Sequence, residues 1–116
     1  MVATTIEQAK RLIELGLDPA TADGYNTPDG GFSTFPVACS DGGFYDKERV
    51  WSLDALLSVM DEVSLDKYGD CYNMDYAFKG LFTDTHDNPI DCAVQMVEMM
   101  LEKGLIKKVK DDSNYY

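Results

Sequence analysis

An α+β domain, with three helices packed on a small antiparallel sheet, is the fold that this chain of 116 residues predicts. Three observations lead to it. Three segments place apolar residues at helical spacing, one segment alternates apolar and polar residues, and glycine turns lie between them. A single core is usual at this length, and 45% hydrophobic residues can supply one. The expected organisation is one domain over residues 1–110 and a frayed tail over 111–116.

The first helix opens at "TTIEQAKRL", where Thr4 as cap and Glu7 three residues later fit a capping box. Ile6, Ala9, Leu12 and Ile13 share its apolar face, and Gly16 suits a left-handed end. Asp18 and Pro19 predict one more turn. The segment 23–34 is polar and turn-rich, and DGGF recurs at 29–32 and 41–44. These turns flank "FSTFPVACS", residues 32–40, where a strand is expected with Phe35, Val37 and Cys39 on one face, held to a sheet edge by Pro36. The glycines lack the lysine and hydroxyl residue of a phosphate-binding loop.

"SLDALLSVM" predicts the second helix, capped by Ser52, with Leu53, Leu56, Leu57 and Met60 on its buried face and Trp51 at its entry. "CYNMDYAF" alternates, so Tyr72, Met74, Tyr76 and Phe78 should share one face of a half-buried strand. Gly80 marks a bulge or a turn before "LFT", which extends or pairs with that strand. The third helix is expected after Asn88 and closes at Gly104. Its apolar arc is broad: Ile90, Val94, Val97 and Leu101 on one side, continued by Ala93, Met96 and Met100, then Cys92 and Met99. "LIKKVK" reads as a short final strand.

The segment "DTHDNPID" resembles chemistry most, with Asp84, Asp87, Asp91 and the chain's one histidine, His86, in eight positions. A helix start explains it more simply. Asn88 is an N-cap, Pro89 suits the first helical position, and acids near the cap complement the helix dipole. No second histidine stands at metal-ligand spacing, so no metal or cofactor is expected. The lone histidine also lacks a nucleophile pattern, which argues against an enzyme. The three cysteines, Cys39, Cys71 and Cys92, are widely spaced and read as reduced.

Charge is the strongest functional signal. The chain carries −11 overall. Residues 54–91 hold nine acids against Lys67 and Lys79, a balance of −7, while residues 92–116 have four of each sign. Such a field repels phosphate backbones and anionic membrane surfaces and favours a basic protein partner. No stretch approaches the roughly 20 apolar residues of a membrane span, and the charged N-terminal segment has no signal-peptide core.

Three blocks, "TIEQAKRLIELGLDPATAD", "WSLDALLSVM" and "DNPIDCAVQMVEMMLEKGLI", resemble a family of short uncharacterised proteins encoded by phages and other mobile elements of gut bacteria. The resemblance covers about half of the chain. It implies a cytoplasmic accessory protein and carries over no activity or site residue. The leading expectation is a non-enzymatic protein that binds a basic partner through Asp54, Asp61, Glu62, Asp66 and Asp70. A second is an assembly accessory that forms a weak homodimer, or a partner contact, through Met96, Met99 and Cys92. A third is a small metal-dependent hydrolase using Asp84, His86, Asp87 and a fourth ligand from elsewhere in the chain.

Overall fold

The computed structural model describes residues 3–26, 32–34, 49–60 and 62–109. They form an α+β fold of three α-helices and two small antiparallel sheets. In chain order the elements are α1 (Ile6–Glu14), β1 (Gly24–Asn26), β2 (Phe32–Thr34), α2 (Leu53–Ser58), β3 (Ser64–Tyr68), β4 (Cys71–Tyr76), β5 (Leu81–Phe82) and α3 (Pro89–Glu102). Short 3-10 turns occupy Pro19–Thr21 and Ala77–Lys79. Helix α3 packs against β4, β5, α2 and α1, and so forms the centre of the core.

The broad apolar arc of α3 is explained by this position. Ile90, Cys92, Ala93, Val94, Met96, Val97, Met100 and Leu101 are all buried, because the helix meets neighbours on several sides. Helix α1 contributes Ala9, Leu12 and Ile13. Its N-cap is Thr5, one residue later than the pattern at Thr4 and Glu7 predicts. Thr5 Oγ1 accepts from the Gln8 amide at 3.0 Å, and Gln8 Oε1 accepts from the Thr5 amide at 2.9 Å. Both frames satisfy the capping-box pattern; tertiary contacts choose between them. Thr4 is buried and already engaged: its N–H donates to the Trp51 carbonyl at 2.9 Å, and its hydroxyl accepts from the Trp51 N–H at 3.1 Å.

Helix α2 is shorter than its sequence pattern, and only part of the expected face is buried. Ala55 and Leu56 are inside, whereas Leu57 is half-buried at the core margin. The Ser52 cap forms as expected, with Oγ accepting from the Ala55 amide at 3.2 Å. Trp51 is fully buried, and its indole N–H donates to Thr21 Oγ1 at 2.8 Å.

The three-stranded sheet runs in the order β3-β4-β5. Tyr72, Met74 and Tyr76 alternate toward the core as expected, and Leu81 pairs with Tyr76. Phe78 does not join them. It falls in the 3-10 turn and is 79% exposed. Strand β3 was not legible as a strand, because "SLDKY" is exposed on both sides of the sheet plane at four of its five positions. Pairing with β4 makes it one. Gly69, at φ +61, begins a two-residue turn between Tyr68 and Cys71, the position at which a type II′ hairpin turn favours glycine.

Strand β1 forms within the polar, turn-rich segment, where no apolar alternation marks it. Gly24 is required there, since an added Cβ would collide with the Ser33 carbonyl oxygen and lie 2.6 Å from the Phe32 ring. The strand expected over "FSTFPVACS" is present at its start as β2, Phe32–Thr34; its expected face at Phe35, Val37 and Cys39 lies outside the described residues, as does the tail 111–116. Residues 105–109 are not a strand, although the Val109 amide donates to the Gly16 carbonyl at 2.8 Å.

Candidate functional site

The "DTHDNPID" segment is built around two hubs, the Gln95 amide and the Asp91 carboxylate. Gln95, on α3, accepts at Oε1 from the Asp84 backbone amide at 2.9 Å and pairs with His86 Nε2 at 2.7 Å. Its Nε2 donates to Asp84 Oδ2 at 3.1 Å. A backbone N–H can only donate, so Oε1 is the acceptor and His86 Nε2 must carry a hydrogen. The same segment docks on β4 through its backbone. Tyr72 donates to the His86 carbonyl at 2.6 Å, and His86 donates to the Tyr72 carbonyl at 2.8 Å.

Asp91 is shared between two helix starts. Its Oδ1 accepts from Gln8 Nε2 at 2.8 Å and its Oδ2 from Asn88 Nδ2 at 2.8 Å, while its amide donates to Asn88 Oδ1 at 2.9 Å. The caps of α1 and α3 are therefore joined through one carboxylate, placed where both helix dipoles favour negative charge. Among the described residues, no three or more His, Cys, Asp or Glu side chains converge as a metal-holding group. Asp84 and His86 meet Gln95, and Asp87 is exposed.

The expected partner-binding acids fall on separate elements. Asp54 is exposed in the first turn of α2, Glu62 is exposed between α2 and β3, Asp66 lies on β3, and Asp70 is exposed in the β3–β4 turn. Asp61 lies outside the described residues. Among the described residues no ion pair or hydrogen bond engages the carboxylates of Asp54, Glu62, Asp66 or Asp70; Asp54, Glu62 and Asp70 are exposed and Asp66 is half-buried. An ion pair joins α1 and α3, where Arg11 Nε meets Glu98 Oε2 at 3.0 Å. That hydrogen bond and the Glu98 charge hold the Arg11 guanidinium above its usual range.

The methionine flank requires a correction. Met96 and Cys92 are completely buried, and Met99 is half-buried against the same core. Met96 fills the space between α3 and its neighbours, so it is not available as a surface contact; Met99 alone keeps an outward edge. Burial also pushes the Cys92 thiol up, with its Sγ donating to the Tyr72 carbonyl at 3.1 Å. Cys71 is free and half-buried.

Gln8, Gln95 and Asp23 were not singled out from sequence. Asp23 accepts from both the amide and the hydroxyl of Ser52, and thereby fixes the cap of α2 from 29 residues away. For Gln8 a signal existed, three residues after Thr5. For Gln95 and Asp23 the partners are distant and no local spacing marks them. Among the described residues no helix is long and apolar enough to cross a membrane. Comparison with protein-family models, curated proteins and solved structures finds no match to this chain.

Proposed function

We propose that this chain is a small acidic, non-enzymatic binding protein that occupies a basic groove on a partner protein. Its setting is the cytoplasm of a bacterium, as an accessory of a phage or integrated element. One observation carries the reading: residues 54–91 hold a balance of −7, and Asp54, Glu62, Asp66 and Asp70 carry no compensating ion pair among the described residues. Charge placed this way accelerates encounter with a positive surface and repels nucleic acid and anionic lipid.

The test is affinity capture from bacterial lysate at low salt, comparing the native chain with the combined variant Asp61→Lys, Glu62→Lys and Asp66→Lys. Glu62 is exposed and Asp66 lies on an exposed strand, so the fold should tolerate their reversal. Partners bound through charge are expected to be lost from the variant, and lost from the native chain as salt rises. Equal recovery by both proteins at low salt would sink the reading.

A further inference from the structure

Alternation along the three-stranded sheet divides its residues into two faces. Leu65, Met74, Tyr76 and Leu81 share the side packed by α3, and Met74, Tyr76 and Leu81 are buried there. The opposite side carries Asp66 and Tyr68 on β3, Cys71, Asn73 and Asp75 on β4, and Phe82 on β5. Tyr68 is 63% exposed and Phe82 is 66% exposed. Single exposed aromatics are ordinary on a protein surface. These two instead stand at opposite corners of one sheet face, with carboxylates between them.

The register gives the spacing. Asp75 is directly opposite Phe82. Asp66 is opposite Asn73, which places it diagonally from Asp75, at about 7–8 Å. Tyr68 follows Asp66 by two residues, about 7 Å along the strand. Neither Asp66 nor Asp75 has an ion pair or side-chain hydrogen bond among the described residues. The two lysines of this region are turned elsewhere. Lys67 Nζ lies over the Tyr72 ring, 5.8 Å from its centroid on the α3 side, and Lys79 Nζ lies 5.4 Å from the centroid of Phe78 beyond the end of β4.

We propose that this outer face is the docking surface, and that it takes a partner segment in which arginine alternates with apolar side chains. The inference rests on the preceding reading and narrows it from a charged region to one face and one ligand chemistry. A guanidinium can fork onto a carboxylate and stack on an aromatic ring, which suits Asp66 beside Tyr68 and Asp75 beside Phe82. Apolar side chains of the segment cover the remaining ring surface. The acids on the face turn away phosphate and anionic lipid.

The experiment is an NMR titration of the isotope-labelled full chain with two short synthetic peptides, one alternating arginine and leucine, the other glutamate and leucine. Saturable, salt-sensitive shifts at residues 64–68, 71–75 and 82 are expected with the arginine peptide and not with the glutamate peptide. The pair Tyr68→Ser and Phe82→Ser should weaken binding about tenfold, in the range of exposed aromatic anchors. Shifts confined to α2 or to residues 84–87 would overturn the assignment of the face while leaving the acidic-binding reading intact. So would equal response to both peptides, which indicates apolar adhesion, or concentration-dependent shifts at this face without peptide, which indicate a second copy of the chain. Silence toward both peptides also overturns it. The wider reading fails separately, through unchanged capture by the lysine triple variant.

Discussion

Asp91 ends hydrogen-bond chains from two helices, so its loss has consequences at both. Asp91→Ala removes acceptors for Gln8 and Asn88 together and is expected to cost about 1.5–3 kcal/mol, the range for bonds to a charged group. Asp87→Ala, four residues away and exposed, should stay within about 0.5 kcal/mol. Denaturant midpoints of the two variants measure the difference, and equal midpoints would remove Asp91 from its linking role. The cysteines give a second contrast. Only thiolate reacts with an alkylating agent, and Cys92 is buried with its thiol pushed up by desolvation. Cys71 should therefore be alkylated in the folded protein and Cys92 only after unfolding, as peptide mass mapping would show.

At the scale of elements, α2 is too short to persist alone. It spans six residues and depends on the Ser52–Asp23 contact at its start and on Leu56 within the core. Leu56→Ala is expected to cost about 2–5 kcal/mol, the usual range for a truncated core leucine. Leu57→Ala should cost less, because Leu57 is only half-buried and gives up less apolar contact. A reversed order in denaturation midpoints would mean that the helix presents its other side to the core. The β1–β2 pair has a different weakness. Gly24→Ala forces a methyl group against the Ser33 carbonyl and the Phe32 ring, and should destabilise the domain by about 1–3 kcal/mol. A midpoint unchanged by that substitution would show that this corner relaxes freely.

Across the whole molecule, a net charge of −11 works against compaction. Salt screens that repulsion over about 10 Å at 0.1 M, so the folded chain should melt at a higher temperature in about 0.1 M salt than in dilute buffer. Partner binding through the acids should move the opposite way and weaken. Thermal unfolding followed over a salt series checks the first effect. A melting temperature that falls with salt would mean that attractive pairs such as Arg11–Glu98 outweigh the repulsion.

The three helices, the Ser52 and Asn88 caps, the alternation of Tyr72, Met74 and Tyr76, and the turn at Gly80 were all legible in the chain. Each depends on neighbours within one or two turns of backbone, so local spacing carries the information. The −7 balance of residues 54–91 was equally plain, since it needs no coordinates. Other features depended on partners far away in sequence. Thr5 caps α1 because Trp51 has already claimed Thr4. Strand β3, with little apolar content of its own, forms by pairing with β4. Met96 is interior because α3 is enclosed on several sides, whereas its periodicity alone fits a core or a contact equally well. Tyr68, Asp66, Asp75 and Phe82 share a face only through the strand register. A pattern in the chain sets which side chains lie together along one element; only packing sets which sides of different elements meet, and which of them water still reaches.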